Sequence, residues 1–488
     1  MAILPEIFTL SPETNATLQQ KIQQSVSEAI VSGRCVSGEK MPSSRKLAAH
    51  LGVARITVTL AYTDLVSNEY LVSRGRSGYY VAPTAPKRPS FDPVPHPRES
   101  AVDWAAKLGR KLPQYAQISR PPNWREYKFP FIYGQSDANL FDHANWRSCA
   151  MRAVGKRDFD SLATDHYRRD DPMLIDFILR HFLPRRGISA RPDEILITMG
   201  TQNGLWLVSE LLLRGGGKAV VENPCYPGFR QVLGQIGCDV FSIDVDAEGL
   251  DPEKIPPQTD VVFVTPGLQC PTNAQMPANR RAALLKKSAQ EGFVIVEDDY
   301  DMDISQVQPP MPSLKSQDRS GTVIYTGSFS KSIFPGLRMG YLVAPREVIN
   351  EARALRGVVY RHPPSHVQRT IAYFLSLGHF DTQLARLSRH LRKRRAVMEE
   401  ALTATGLLSD PKSGPCGSSF WVKAPDHIDT MSLALDLRSQ SILIEPGRVF
   451  FAPERPDARW FRLGYSSIST SHIEEGITRL AEAIAART

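Results

Sequence analysis

Apolar residues recur at helical spacing through the first part of the chain. The first run predicts a helix that ends near Gly33, and its inward face carries Leu18, Ile22, Val26, Ala29 and Ile30. A second predicted helix has Ser43 or Ser44 as its cap and stops at Gly52. A third follows, with Val58, Ala61, Tyr62 and Leu65 facing inward. The pattern therefore predicts three short helices around one small core.

The pattern then changes to short strand-like runs. Tyr70–Ser73 and Tyr79–Val81 are rich in aromatic and β-branched residues, and they flank the basic segment Arg74-Gly75-Arg76-Ser77-Gly78. This predicts a hairpin with a basic tip, a wing. A tight turn between the second and third helices, followed by a wing, is typical of a winged helix-turn-helix that presents its third helix to the major groove of DNA.

The polar residues of this module lie where contacts with double-stranded DNA are possible. Arg55 and Thr57 fall at the start of the third helix, where base edges are read. The other DNA-binding candidates suit phosphate or minor-groove contacts or close the wing tip: Ser44, Arg45, Arg74, Arg76 and Gly78. For any one arginine, a solvated surface charge is an equally good interpretation. The run from Pro42 to Val81 resembles the GntR-type winged helix-turn-helix, which implies DNA binding. Ala54 departs from the serine usual there.

A different alternation begins at about residue 125, where short β-branched runs are separated by helical segments. The runs are Ile195–Thr198, Ala219–Val221, Val261–Val264, Phe293–Val296 and Val323–Tyr325. They predict an α/β domain built from parallel βαβ units. Ligands of such sheets bind beyond the carboxyl ends of the strands, so we expect the site to lie after these runs.

Between the two patterns, proline is frequent and periodic apolar residues are scarce. The prolines are Pro83, Pro86, Pro89, Pro93, Pro95 and Pro97, and irregular polar sequence continues to about Pro122. This composition predicts a semi-rigid, extended tether.

Length, charge and cysteine content narrow the functional classes. A chain of 488 residues predicts two or three domains. The net charge of +8 is uneven: residues 1–90 carry ten Lys and Arg against six Asp and Glu, which favours a polyanionic partner there. Six cysteines without metal-ligand spacing indicate reduced thiols and no metal site. No apolar run approaches the roughly 20 residues that span a bilayer, and no leader is evident, so we expect a cytoplasmic protein without membrane contact.

The segments after the predicted strands carry groups that together suit pyridoxal 5'-phosphate. Lys331 has the amine that can bond to its aldehyde, and Asp298 can pair with its pyridine nitrogen. Tyr300 can hydrogen-bond the ring hydroxyl, and Tyr226 can stack on the ring. Hydroxyls, a helix start and a guanidinium are the phosphate candidates: Ser328, Ser330, Gly200, Thr201, Gln202 and Arg338. Each signal is weak alone, and their order and spacing make the set specific.

From about Phe131 to Ser466 the sequence resembles the fold-type I aminotransferases, and the whole chain resembles the MocR/GabR family of pyridoxal-phosphate-dependent transcriptional regulators. The resemblance rests on the winged helix, the linker and the motifs Gly200-Thr201-Gln202, Asn223-Pro224-Cys225-Tyr226-Pro227, Glu297-Asp298-Asp299-Tyr300-Asp301, Ser328-Phe329-Ser330-Lys331 and Phe461-Arg462-Leu463-Gly464. It implies a multidomain protein. A winged helix-turn-helix (α+β) spans 14–82, a Pro-rich linker spans 83–124, and an α/β fold-type I aminotransferase-like domain spans 125–488.

The resemblance also implies roles and partners. Lys331 becomes the Schiff-base lysine, Arg338 a phosphate ligand and Arg462 the binder of an effector carboxylate. The alternative for Arg462 is a strand arginine in a surface ion pair. Two segments depart from the family pattern: Leu268 replaces a histidine, and Arg168–Met173 replaces a glycine-bearing turn. Both resemble the branch that includes taurine- and ectoine-responsive regulators.

Two functions of different class stay open. The leading one is a homodimeric transcription factor that binds a small amine or amino-acid effector as an external aldimine on the Lys331-bound cofactor. The other is an active aminotransferase with an accessory DNA-binding module, because every group needed for transamination is present. A DNA-binding protein with an empty aminotransferase fold is disfavoured by the intact set of Lys331, Asp298, Tyr300 and Arg338.

Overall fold

The computed structural model describes residues 2–10, 16–86, 101–108, 118, 120–135, 137–301, 304, 311–408 and 417–487. The chain divides into two compact units, Met1–Gly109 and Arg110–Thr488. The helices and strands of the first unit are α1 (Leu18–Val31), α2 (Ser44–Leu51), α3 (Arg55–Ser67), β1 (Leu71–Ser73), β2 (Tyr79–Val81) and α4 (Trp104–Lys107). The three predicted helices and the predicted hairpin are thus confirmed.

Local capping explains where the first helices begin and end. Thr17 forms a capping box at the start of α1, and Ser43 accepts a hydrogen bond from a backbone N–H at the start of α2. Gly52 ends α2 in the left-handed conformation, with a φ of 66°, which makes the tight turn into α3. Ala54 precedes α3 without a side-chain cap, because its methyl group has no acceptor.

The first unit has its own core, into which α3 inserts Tyr62. The hydroxyl of Tyr62 donates a 3.0 Å hydrogen bond to the carbonyl oxygen of Pro42, so α3 is fixed to the segment that precedes α2. Strands β1 and β2 pair antiparallel, with Leu71 opposite Val81, and form the wing.

Most of the predicted linker lies outside the described residues. The part at 101–108 differs from the irregular structure predicted for it, because Trp104–Lys107 forms one helical turn. Asp103 caps this turn by accepting a hydrogen bond from the backbone N–H of Ala106.

The second unit contains the large α/β fold. Its strands are β3 (Phe129–Pro130), β4 (Ile195–Thr198), β5 (Lys218–Asn223), β6 (Asp239–Asp244), β7 (Val261–Val264), β8 (Val294–Asp299), β9 (Val323–Ser328), β10 (Gly340–Val343), β11 (Ser419–Lys423), β12 (Ile442–Leu443), β13 (Glu445–Pro446) and β14 (Trp460–Gly464). Its helices are α5 (His143–Ala153), α6 (Lys156–Leu162), α7 (Pro172–Phe177), α8 (Thr201–Leu213), α9 (Pro227–Ile236), α10 (Ala278–Glu291), α11 (Leu314–Gln317), α12 (Arg346–Tyr360), α13 (Ser365–Ser376), α14 (His379–Ala404), α15 (Thr430–Leu437) and α16 (Thr470–Ala485).

The large sheet has the strand order β4-β10-β9-β8-β7-β5-β6. The parallel pairing predicted from the sequence is confirmed for β5, β7, β8 and β9, and β6, which was not predicted, pairs parallel with β5. Strand β10 was not predicted; it lies between β4 and β9 and runs antiparallel to both, so the pairing of the predicted strand β4 differs from the parallel pairing expected for it. The reason is a short connection from β9 to β10, which reverses the chain and leaves no room for a crossover helix.

Strand β8 also extends further than predicted. Asp298 was expected two residues beyond the strand, but it lies within β8, because main-chain pairing with β9 continues to Asp298↔Thr326 and Asp299↔Gly327. Likewise, Ser328 is the last residue of β9 and does not follow it. The buried β8 carboxylates are therefore held by the sheet itself and not by a loop.

The C-terminal part adds a smaller sheet of order β11-β14-β13, which packs with α14 and α16 in one apolar core. Arg462 lies in its central strand β14. Within the described part of the chain, no helix has the length and apolar character required to cross a membrane.

Candidate functional site

A cavity of about 500 Å³ opens at the carboxyl ends of β8 and β9, as expected for this kind of sheet. Ten of the residues predicted for the cofactor and effector line it together: Thr201, Gln202, Tyr226, Asp298, Tyr300, Ser328, Ser330, Lys331, Arg338 and Arg462. Gly200 adjoins it, since a Cβ on this residue would lie 3.1 Å from Nη2 of Arg338. Residues spread over more than 250 positions of sequence are thus brought to one place.

Lys331 is placed to present a reactive amine. Burial lowers the pKa of Lys331 to about 8, and the nearby Asp301 carboxylate opposes that shift. The Nζ atom lies 4.3 Å from the ring centroid of Tyr133. It also lies against Gly134, whose φ of 70° and missing side chain leave room for it. A lysine that is about half neutral near pH 8 suits bond formation with an aldehyde.

Asp298 is a buried carboxylate with one oxygen committed to the protein. Its Oδ1 accepts a 2.9 Å hydrogen bond from the hydroxyl of Thr326 on the neighbouring strand. Burial raises the pKa of Asp298 to about 7, and the Asp299 carboxylate beside it adds to the rise. A cationic ring nitrogen brought to this carboxylate would form a buried ion pair and offset that cost.

The phosphate candidates form one end of the cavity. Helix α8 begins at Thr201, after Gly200, whose φ of 77° favours glycine, and the first two residues of the helix, Thr201 and Gln202, line the cavity. Arg338 takes the left-handed conformation, with a φ of 50°, which is uncommon outside glycine and places its guanidinium beside Gly200. The Oγ of Ser328 accepts a hydrogen bond from the N–H of Ser330.

Two tyrosines and a glutamine line the cavity wall. Burial raises the pKa of Tyr226 to about 12 and that of Tyr300 well above its ordinary value, so both phenols stay protonated. Gly228 permits the close packing here, since a Cβ on it would lie 2.2 Å from both Gln202 and Tyr226. Among the described residues, no group bonds the buried Oε1 of Gln202.

Arg462 forms an ion pair that is buried and not at the surface, which corrects the alternative interpretation of this arginine. Its Nε donates a 2.8 Å hydrogen bond to Oε2 of Glu445, and its side chain is only 3% exposed. Its guanidinium carbon lies 4.1 Å from the ring centroid of Tyr133 and 4.6 Å from that of Phe450. Arg462 is therefore held rigidly at the cavity wall.

The two departures from the family pattern take structural positions. Leu268 is buried, where a histidine would need polar partners. Asp170, in the segment that replaces the glycine-bearing turn, bonds Arg353 at 2.8 Å and Arg356 at 2.7 Å and is fully buried.

Sequence reasoning missed several cavity residues. Arg120, Tyr133, Gly134 and Cys270 line the cavity, and Glu445 lies behind it. The glycine after the apolar run that ends at Tyr133 was a signal for a close approach, whereas nothing around Glu445 marks it.

The residues present fit pyridoxal phosphate. The cavity volume lies in the range of cofactor sites. An amine, a carboxylate and a phosphate cradle built on a helix start and an arginine lie along its length. The glycines at 134 and 200 keep the space that a Cβ would fill beside Lys331 and Arg338.

The DNA-binding candidates lie at the starts of α2 and α3 and on the wing. Arg55 is exposed, and its Nε donates a 3.3 Å hydrogen bond to Oγ of Ser44, while Thr57 is half-buried beside it. Arg45 is also exposed. On the wing, Arg74 and Arg76 are exposed on either side of Gly75, and Gly78 is half-buried with a φ of 101°. The guanidinium of Arg74 stacks 4.5 Å from the ring centroid of Tyr80.

Comparison with known proteins agrees with both units. The aminotransferase class I and II family matches residues 171–480, and the gntR family of bacterial regulatory proteins matches 18–81. The HTH-type transcriptional regulator TauR of Rhodobacter capsulatus is 52% identical over 99% of this chain and 100% of its own. The probable rhizopine catabolism regulatory protein MocR of Rhizobium meliloti is 26% identical over 98% and 96%.

Among solved structures, the chain is similar to LysN, an alpha-aminoadipate aminotransferase from Thermus thermophilus, complexed with N-(5'-phosphopyridoxyl)-L-leucine. The TM-score is 0.68 at 25% identity, covering 79% of this chain and 99% of that one. The large unit thus has the fold-type I architecture, and the aminotransferases that share it bind pyridoxal phosphate. With the winged helix-turn-helix and the two regulators that match nearly end to end, the chain belongs to the MocR-type, pyridoxal-phosphate-dependent family of DNA-binding transcriptional regulators.

Proposed function

We propose that this regulator senses a small amine or amino acid at the Lys331 cavity and changes its affinity for promoter DNA in response. One observation carries the proposal: the amine of Lys331, the carboxylate of Asp298 and the buried guanidinium of Arg462 share one cavity, on a chain that also has a winged helix-turn-helix. An allosteric regulator needs two distinct sites, here the Lys331 cavity and the winged helix-turn-helix, and a coupling between them.

Each residue has a distinct task in this proposal. Pyridoxal phosphate, when bound, supplies an aldehyde that combines with primary amines. Lys331 provides the amine that holds it, with a pKa of about 8 that leaves a reactive neutral fraction. Asp298 holds the proton of the ring nitrogen at its free oxygen. Arg338 and the start of α8 bind the phosphate.

The recognition tasks fall to other residues. Tyr300 would hydrogen-bond the ring hydroxyl, and Tyr226 would stack on the ring, since both line the cavity. Arg462 would bind an acidic group of the effector, because its guanidinium faces the cavity from a fixed position. On DNA, Arg55 and Thr57 would read base edges, and the wing arginines Arg74 and Arg76 would contact the backbone.

The test is the affinity of cofactor-loaded protein for DNA from its own promoter region, with and without saturating amines. The panel includes taurine, 3-aminopropanoate and 4-aminobutanoate. We expect at least one of them to shift the affinity or the footprint, and Lys331→Ala to lose the shift while it still binds DNA. Identical affinity and footprint with every amine would refute the proposal.

Transamination is the second candidate function, because the whole constellation of a fold-type I aminotransferase lines the cavity. The fate of the amine separates the two functions. An enzyme releases a keto acid or aldehyde and leaves the amino group on the cofactor, whereas a sensor releases the amine unchanged. Product analysis after single and multiple turnovers decides between them.

The proposal includes a homodimer, a cytoplasmic location and the domain limits 14–82, 83–124 and 125–488. The unit border at residue 109 lies inside the proposed linker. Analytical ultracentrifugation of the loaded protein tests the dimer, and limited proteolysis within 83–124 tests the linker.

A further inference from the structure

Two arginines share one buried carboxylate at the wall of the cavity. Oε1 of Glu445 accepts a 2.8 Å hydrogen bond from Nη2 and a 3.1 Å hydrogen bond from Nε of Arg120. Its other oxygen, Oε2, accepts from Nε of Arg462 at 2.8 Å. Nη2 of Arg120 also donates to the carbonyl oxygen of Tyr133 at 3.0 Å, which fixes the orientation of its guanidinium.

The charges of this cluster do not cancel. Glu445 is buried, with its side chain 2% exposed, and among the described residues it is the one carboxylate bonded to both arginines. Burial alone would raise the pKa of Glu445, but the two guanidinium groups hold it below its ordinary value, so the carboxylate is ionised. Two positive charges against one negative charge leave these three groups with a net positive charge.

Both arginines keep donors for a ligand. Within the described part of the chain, no residue accepts a hydrogen bond from Nη1 of Arg120 or from Nη2 of Arg462. Among the same described residues, Nη1 of Arg462 has the sulfur of Cys270, at 3.9 Å, as its one partner. Both side chains line the cavity that contains Lys331, so these donors have access to the same ligand.

We propose that Arg120 is a specificity-determining residue that binds, together with Arg462, the anionic group of the amine effector. The inference rests on the proposed sensing function and deepens it by naming the ligand class: a primary amine whose short chain ends in a carboxylate or sulfonate. Two guanidinium groups around one carboxylate offer an anion charge-assisted hydrogen bonds from two directions. Glu445 positions both of them and prevents their mutual repulsion.

The position of Arg120 in the chain sets it apart from Arg462. Arg462 lies in the central strand of a sheet, whereas Arg120 lies near the end of the proposed linker, before the first strand of the large unit. Occupation of the anion site would therefore act on the segment that leads to the DNA-binding unit.

The experiment compares two amines of similar size that differ in the anion, 3-aminopropanoate and n-propylamine, on full-length, cofactor-loaded protein. The visible spectrum gives the apparent Kd of each, and the ratio of the two is the anion preference. The variants are Arg120→Gln, Arg120→Lys, Arg462→Gln and, as a matched control, Arg438→Gln. Arg438 lines a small neighbouring cavity with Arg120 and Glu445 but does not line the Lys331 cavity, and its loss changes the net charge equally.

We expect Arg120→Gln to lower the anion preference on the order of tenfold, through weaker binding of 3-aminopropanoate with n-propylamine unchanged. Arg120→Lys should recover part of the preference, since the charge remains but the bidentate geometry is lost. Arg438→Gln should keep the wild-type ratio. Covalent loading of the cofactor and the circular dichroism spectrum report whether each variant is folded.

Three results would contradict these expectations, and each has a different meaning. A folded Arg120→Gln protein with the wild-type preference, next to an Arg462→Gln protein that has lost it, would overturn the role of Arg120 and leave the sensing function standing. Equal loss in Arg120→Gln and Arg438→Gln would also overturn it, because net charge alone would then explain the effect. Absence of binding by either amine to wild-type protein would overturn the sensing proposal and this inference with it.

Discussion

Substitution of Gly134 by alanine tests whether the site depends on the close approach of backbone and lysine. An alanine Cβ at this position would lie 1.9 Å from Nζ and 3.2 Å from Cε of Lys331. Ordinary contacts of a Cβ begin near 3.4 Å, so Nζ must move by about 1.5 Å. The lysine side chain is long enough to do so, and the fold can therefore survive while the amine is displaced.

The substitution Gly134→Ala has two effects that can be measured separately, a loss of stability and a loss of reaction rate. The φ of 70° is in the left-handed region, where alanine costs about 1–2 kcal/mol of unfolding free energy. Misplacement of a reacting atom by about 1 Å costs on the order of 100-fold in rate. Gly292→Ala is the matched control, because Gly292 has a φ of 80° and no atom within 4 Å of its Cβ position. It carries the backbone cost alone.

The assay is covalent attachment of pyridoxal phosphate to Lys331, trapped with borohydride and followed by mass spectrometry. We expect Gly134→Ala to load on the order of 100-fold more slowly than wild type and Gly292→Ala to load at the wild-type rate. Both should lose similar stability in urea. If folded Gly134→Ala protein loads as fast as Gly292→Ala, the reasoning about this contact is wrong.

Three further predictions concern single groups. Since the pKa of Lys331 is lowered to about 8, its neutral fraction rises from about one tenth at pH 7 to about nine tenths at pH 9. The apo-protein should therefore bind pyridoxal phosphate faster as the pH rises over this range, and a rate that does not change with pH would contradict the assignment. Ala54→Ser adds the missing cap of α3 and should raise the opening free energy of α3 amides, measured by hydrogen exchange, by about 0.5–1 kcal/mol; unchanged protection would argue against a cap there. Arg55→Ala should weaken promoter binding on the order of tenfold and relax the sequence preference, whereas substitution of another exposed arginine, Arg34→Ala, should do neither. Equal effects of the two substitutions in a binding titration would mean that Arg55 contributes only its positive charge.

The sequence predicted the position of a functional side chain wherever that side chain lies in or next to a strand with a clear apolar pattern. Asp298 lies near the end of the apolar strand β8, and Lys331 follows the apolar strand β9. Because ligands of parallel sheets bind at the carboxyl ends of the strands, the sequence predicted that these two residues share one site. The antiparallel β10 was not foreseen, because four residues carry no sign of direction. Glu445 could not be found either, since it lies in a two-residue strand and meets Arg120 only through tertiary packing.

The position of β10 between β4 and β9 has a consequence for synthesis of the chain on the ribosome. Gly340 pairs with both Thr198 and Ser328, so the phosphate end of the cavity closes only after residues near 343 have emerged. All contacts in the core of the first unit lie before residue 86. At typical elongation rates the DNA-binding unit is complete on the order of 10–50 s before the phosphate end of the cavity. Each new molecule therefore passes through a period in which its DNA-binding unit is complete while the phosphate end of the cavity has not yet formed.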